Sequence, residues 1–177
     1  LPREALNSEI EFIKDMGVHI KTNAPIDSIN DLFESGFEAV LVAVGKHKSQ
    51  KLSVPGADSQ GVYLCAEFLR SANSGKTINI GRNVVVFGGG NAAFDCARVA
   101  RRLGAERVRL ACIESRTEMP AAPDEIERGE AEGILIHPSK TAAGIVSENG
   151  KVVGVQFLDV ESFCFDEDRN LKLEIVE

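Results

Sequence analysis

Apolar positions change rhythm several times along this chain, and each change marks an element. Between Arg3 and Lys14, Leu6, Ile10 and Ile13 recur at helical spacing ahead of Gly17, which predicts a helix that stops there. A short strand is expected next, Val18 to Lys21. Asn23 to Asp27 holds a proline and turn formers, and Ser28 is placed to cap a short helix through Phe33, which Gly36 ends. Glu38-Ala-Val-Leu-Val-Ala-Val-Gly45 is apolar on both faces, the pattern of a strand in a buried parallel sheet. Lys46 to Gly61 turns polar and irregular, with Val54-Pro55-Gly56 as its clearest turn, and reads as a connector between two lobes. Cys65 to Asn73 is predicted helical, before a Gly-containing polar stretch that reaches Arg82.

The pattern then sharpens. The β-branched run Asn83-Val-Val-Val-Phe87 breaks into Gly88-Gly-Gly90, and a long helical pattern follows to Leu103-Gly104. A second strand is expected over Arg107 to Glu114, a proline-punctuated loop over Met119 to Pro123, a short helix weakened by Gly129 over Asp124 to Glu132, and a third strand over Ile134 to His137. Strands and helices alternating at this spacing imply a parallel sheet with right-handed crossovers. Ala142 to Val146 and Val152 to Val160 flank Glu148-Asn149-Gly150, an Asn-Gly hairpin signal, and Asp166 to Asn170 is another turn before Leu171 to Val176. The expected fold class is α/β, a Rossmann-like parallel sheet with an antiparallel β-meander appended. Three segments follow from this reading: 1–45, a partial lobe with its crossover strand; 46–82, a connector with a short helix; and 83–177, a nucleotide-binding domain.

Composition narrows the function classes. A chain of 177 residues, 44% of them hydrophobic, can bury a core. No apolar run approaches the roughly 20 residues needed to cross a bilayer, and the N-terminus lacks the layout of a signal peptide, so a cytoplasmic location is expected with no membrane partner. The net charge of -7 would repel a polyanion, which argues against nucleic acid. Cys65, Cys96, Cys112 and Cys164 are far apart and form no Cys-x-x-Cys, so no metal, iron-sulfur or dithiol site is readable from their spacing, and reduced thiols are expected. Leu1 stands where Met would, and the last strand-like run reaches the terminus; the chain reads as a piece of a longer one.

Strand, Gly-x-Gly-x-x-Ala and helix in that order form the dinucleotide-binding fingerprint. Gly88 allows the sharp turn out of the strand, Gly90 lets backbone approach a pyrophosphate, and Ala93 keeps the helix close to the sheet. Backbone N–H groups from about Asn91 to Ala93 then face the phosphates at the positive end of the helix. The small inner face, Ala93, Cys96, Ala97, Ala100 and Leu103, suits that packing. Glu114, at the end of the second strand, is placed to accept hydrogen bonds from both ribose hydroxyls of NAD and to repel a 2′-phosphate. NAD(H) is therefore favoured over NADP(H), although Arg116 lies close enough to meet a 2′-phosphate. The candidate cofactor-binding set is Gly88, Gly89, Gly90, Asn91, Ala92, Ala93, Glu114, Ser115 and Arg116, with no catalytic acid or base and no metal ligand. A Gly-rich turn without a ligand and a solvated glutamate at a strand end are the plain structural alternatives. Asp95 is read as a first-turn carboxylate serving the helix dipole, Cys96 as packing, and His19, His47 and His137 as scattered surface or strand histidines.

The succession Leu1-Pro-Arg-Glu, Phe37-Glu-Ala-Val-Leu-Val-Ala-Val-Gly45, Lys51-Leu-Ser-Val-Pro-Gly56, Gly61-Val-Tyr63, Gly88-Gly-Gly-Asn-Ala-Ala-Phe-Asp95 and Met119-Pro-Ala121 resembles the small (β) subunit of glutamate synthase. It is similar as well to the electron-entry region of dihydropyrimidine dehydrogenase, within the wider two-dinucleotide-binding flavoproteins, and the resemblance covers nearly the whole chain. It implies a FAD domain interrupted by an NAD(P)H domain, with electrons passing from nicotinamide to flavin and through iron-sulfur clusters to a partner. Gly88, Gly90, Asn91, Ala92 and Ala93 would line the pyrophosphate. The run ending at Gly45 resembles the family's crossover next to both cofactors, with Val44 where Thr is usual, and segment 1–45 would be part of the FAD domain. Many members carry consecutive arginines where this chain has Ile113-Glu114, in keeping with NAD. The cysteine-rich region, the FAD fingerprint and the C-terminal FAD segment are missing from these residues, so FAD would be held only by the intact protein and iron-sulfur clusters outside this chain.

The expected function is hydride passage from NAD(P)H to FAD in a longer oxidoreductase, with this chain alone inactive. Expected partners are NADH or NADPH, the remainder of the FAD domain, and a large glutamate synthase subunit or another electron acceptor. A redox-sensing dinucleotide-binding module without catalysis and an S-adenosylmethionine-dependent methyltransferase stay open as alternatives.

Overall fold

The computed structural model describes residues 2–168 and 170–176 and divides at Gly45 into two compact units. In the first unit, helix α1 (Arg3–Asp15) follows Pro2, whose fixed φ suits the helix entrance, and α2 (Ile29–Glu34) is capped by Ser28, whose hydroxyl accepts the Asn30 N–H at 3.2 Å. The strands expected over Val18 to Lys21 and Glu38 to Gly45 do not form. A strand exists by virtue of ladder bonds to a neighbour, and no described segment supplies one to either run. The apolar character of the second run is therefore unburied: Leu41 is 91% exposed and Val44 70%.

The second unit holds the expected parallel sheet. Strands β1 (Asn83–Phe87), β2 (Arg107–Ala111) and β3 (Ile134–His137) lie in that order, with Asn83 opposite Arg107 and Ala111 opposite His137. Before them comes α3 (Cys65–Asn73), with the bounds expected from periodicity; α4 (Asn91–Arg102) packs on β1 and β2, and α5 (Pro123–Ala131) on β3. Proline opens α5 because its missing N–H is one the first turn leaves unused.

The inner face of α4 differs from the expected one at two places. Leu103 is 42% exposed, whereas Phe94 is fully buried with Ala97, Val108 and Leu110 at the centre of the core. The helix starts at Asn91, so Asp95 also lies beyond its first turn, on the exposed side. Arg98 ties α4 to the α5 end, with Nη1 on Glu125 at 2.8 Å and Nε on Glu132 at 2.7 Å. Burial would raise the Glu132 carboxyl, but hydrogen bonds and charge from Arg98, then Arg102, outweigh it and hold the group below its ordinary range.

A second, antiparallel sheet contains β4 (Lys140–Glu148), β5 (Lys151–Phe165) and β6 (Leu171–Ile175). Asn149 and Gly150 both take positive φ, 49° and 76°, which is the backbone an Asn-Gly hairpin turn requires. Strand β5 runs much further than its apolar alternation suggests, pairing β4 through Asp159 and then β6 from a register shift at Val160. Residues before α3 fold onto this sheet: Ile145 N–H donates to Pro55 O at 2.8 Å, Gln60 N–H to Gly150 O at 2.8 Å, and Val152 N–H to Gln60 O at 3.0 Å. Among the described residues no helix is long and apolar enough to cross a membrane.

Candidate dinucleotide site

At the C-terminal edge of the parallel sheet, β1 runs into Gly88, whose φ of 129° bends the chain into α4. Its N–H still donates to Ala111 O at 2.8 Å, so the turn starts from a point fixed by β2. A Cβ built on Gly88 would stand 3.4 Å from that of Ala93, the close helix-to-strand approach the small residues permit. A Cβ on Gly90, the N-cap, would meet only Pro120 Cγ at 4.0 Å, which leaves room for a ligand against the backbone.

The donors at this helix end are fewer than the sequence suggests. Ala93 N–H turns back to Gly90 O at 2.9 Å, so Ala93 contributes packing, and the intrahelically unbonded N–H groups are those of Asn91 and Ala92. Asn91 has a second task that its motif position did not reveal. Its Oδ1 accepts Ala122 N–H at 2.8 Å, and Gly89 O accepts Ala121 N–H at 3.1 Å, so the Met119–Ala122 loop is stapled over the Gly-rich turn. Asn91→Ala should lower dinucleotide affinity by about fivefold, the worth of one lost hydrogen bond, with the helix unchanged by circular dichroism. An unchanged affinity in calorimetric titration would show that the loop needs no staple.

Strand β2 stops at Ala111 rather than reaching Glu114. The chain beyond it bonds once more to the end of β3, Cys112 N–H to His137 O at 3.3 Å, and then turns to the start of β4, with Lys140 N–H to Cys112 O at 2.7 Å and Ser139 N–H to Glu114 O at 2.9 Å. Those bonds set Glu114 against the Gly-rich turn: a Cβ on Gly89 would lie 2.7 Å from Glu114 Oε2 and 3.2 Å from Cys112 Cβ. Oε2 is buried and has no hydrogen-bond partner among the described residues. Burial, and after it the charge and hydrogen bonding of Glu114, pushes the Cys112 thiol up to about 11, so this cysteine stays protonated.

Ser115 and Arg116 are turned to other work. Ser115 Oγ donates to Glu118 Oε2 at 2.5 Å, within the turn, and Arg116 Nη2 is paired with Glu130 Oε2 at 2.8 Å. A phosphate reaching Arg116 would compete with that carboxylate. Gly45 closes the first unit with φ 72° and is described with that unit. His137 Nε2 is buried without a partner among the described residues, while His47 Nδ1 lies 3.4 Å from Arg70 Nη2. No group of three His, Cys, Asp or Glu able to hold a metal occurs among the described residues.

Two free amides and an open approach at a helix N-terminus suit a pyrophosphate, and a buried carboxylate oxygen lacking a donor beside them suits ribose hydroxyls. The family model of the pyridine nucleotide-disulphide oxidoreductases matches residues 3–167. The chain belongs to that family. It is 39% identical over 161 residues to the NADP(+)-dependent formate dehydrogenase subunit beta of Moorella thermoacetica, covering 88% of this chain and 23% of that protein. The NADPH-Fe(3+) oxidoreductase subunit beta of Geobacter sulfurreducens is 38% identical over 165 residues, covering 88% and 24%. The glutamate synthase [NADPH] small chain of Escherichia coli is 30% identical over 192 aligned positions, covering 99% and 40%. This pyridine nucleotide-disulphide oxidoreductase chain thus spans less than half the length of these relatives. Lactococcus lactis thioredoxin reductase shares the fold, with a TM-score of 0.50 at 18% identity over 72% of this chain and 39% of that one.

Proposed function

We propose that this chain is the pyridine-nucleotide-binding part of a longer FAD-containing oxidoreductase, binding NADH in preference to NADPH. The observation that carries the reading is the buried, unpartnered Glu114 Oε2 beside the Gly-rich turn. A carboxylate oxygen without a donor costs free energy in the free protein and regains it when ribose hydroxyls donate to it. Gly88, Gly89 and Gly90 shape the turn, Asn91 and Ala92 offer their N–H groups to the pyrophosphate, and Asn91 also holds the covering loop. Bound nicotinamide would supply a hydride to FAD, and the protein's part is to bind, orient and exclude water.

The relatives named above are NADP-linked; the NADH preference rests on this chain's own Glu114 and on Arg116 being occupied by Glu130. Segment 1–45, with Gly45, is assigned to the FAD domain, and a separate electron-accepting subunit is the proposed partner, in line with relatives that are themselves named as subunits. Family membership sets aside the methyltransferase reading. Calorimetric titration of the 177-residue chain with each nucleotide tests the proposal. NADH should bind more tightly than NADPH, and ferricyanide should not be reduced by NADH with the chain alone. Absence of binding by either nucleotide would overturn the site, and tighter NADPH binding would overturn the role of Glu114.

A further inference from the structure

Two cysteines that lie 31 positions apart in sequence meet beneath the candidate site. Cys65 is the first residue of α3, half-buried, and Cys96 lies on the buried face of α4. Their sulfurs are 3.3 Å apart, with the Cys96 thiol directed at Cys65 Sγ, and the Cys65 thiol faces Ala92 O at 3.8 Å. Ala92 is one of the two residues whose N–H is offered to the pyrophosphate, and its carbonyl is one helical turn from Cys96.

We propose that Cys65 and Cys96 form a dithiol that peroxide oxidises to a disulfide, and that the disulfide weakens dinucleotide binding; the second part rests on the function proposed above. Sulfur of Cys65 attacks one peroxide oxygen, the O–O bond breaks, and the departing hydroxide leaves as water with the thiol proton, giving a sulfenic acid. Cys96 sulfur then attacks Cys65 sulfur, the S–O bond breaks, and a second water carries away the hydroxide and the Cys96 proton. Two thiols lose two electrons and two protons, and one peroxide becomes two waters. Cys65 reacts first because it is the less buried of the two; burial, and then the neighbouring Cys65, hold the Cys96 thiol well above its ordinary value.

Coupling to the site follows from geometry. Shortening the 3.3 Å separation to a bond of about 2.0 Å draws the first residue of α3 towards the second turn of α4. The bond also removes the S–H that faces Ala92 O. Both changes act on the turn that presents the Asn91 and Ala92 amides.

The test uses the full chain carrying Cys164→Ser, which removes the exposed thiol of β5 and with it cross-linking between copies. After hydrogen peroxide without reductant, peptide mass mapping should show Cys65 and Cys96 joined, with the loss of two hydrogens, and dithiothreitol should restore the thiols. NADH affinity should fall by about tenfold on oxidation, within the usual range of coupling between two sites, and recover with dithiothreitol. Cys65→Ala should abolish the cross-link and the affinity change. Cys65 oxidised without a link to Cys96 would overturn the dithiol, and a link with unchanged NADH affinity would overturn the coupling. A link in a chain that binds no NADH when reduced would support the dithiol and overturn the proposed nucleotide function, so the two failures are distinct.

Discussion

Exchanging Glu114 for glutamine should weaken NADH binding by about tenfold to a hundredfold, the worth of hydrogen bonds to a charged acceptor. The same change should tighten NADPH binding, because the charge that opposes a 2′-phosphate is gone. Glutamine keeps the shape of glutamate, which matters where Oε2 sits 2.7 Å from the position a Cβ would take on Gly89; a larger substitute would displace the turn itself. Stability of the free chain should move the other way. Oε2 is buried with no donor among the described residues, so neutralising the group relieves a desolvation cost and should leave the melting temperature unchanged or higher. Lower NADH affinity together with an unchanged or raised melting temperature separates a ribose-binding residue from a structural one. An unaltered ratio of NADH to NADPH affinity would remove Glu114 from the site.

Phe94→Ala should cost about 3–5 kcal/mol of stability, the range for a large aromatic side chain deleted from a packed core. Phe94 is 0% exposed and is among the largest fully buried side chains. Its ring fills the place where α5 comes closest: a Cβ on Gly129 would lie 2.7 Å from Phe94 Cδ1 and 3.5 Å from Ile134 Cδ1. That contact explains a glycine within a helix where alanine would otherwise be preferred. The cavity left by alanine is bounded by both α5 and β3, so it cannot close by a side-chain rotation alone. Urea unfolding should show the loss as a lower midpoint with an unchanged slope. A loss under about 1 kcal/mol would mean that α4 re-seats and that Phe94 does not organise the core.

These two residues mark how far the sequence was legible. The strand, Gly-rich turn and helix around Gly88 are specified locally, by β-branched residues, glycines and a small-faced helix, and so could be read in order. Periodicity reads Leu103 as inner face and not Phe94: the two lie about 180° apart around the helix, at opposite edges of its apolar arc, and only the position of α5 decides which edge is covered. Glu114 stands as a candidate from its position alone, and the end of β2 was misplaced: Cys112 to Glu114 bond to residues 137–140, partners that no local pattern announces. The run Glu38 to Gly45 shows the converse, a strong strand pattern without a strand, since the ladder it requires depends on neighbours that the described residues lack. Asn91 and the Met119–Ala122 loop were each singled out, yet their bond was invisible because it joins positions 31 apart.

The hydrogen bonds by which Pro55 O and the Gln60 backbone hold the second sheet also decide where this chain can be divided. A shortened protein beginning at Asn83, as the fingerprint alone would suggest, would strip Phe68 and Leu69 from the core and leave β4 and β5 without the strand-like partner they hold near Ile145 and Val152. One beginning at Lys46 keeps α3, the Cys65–Cys96 contact and that strap together. For joining the proposed nucleotide-binding unit to another protein, the natural seam is therefore the joint after Gly45.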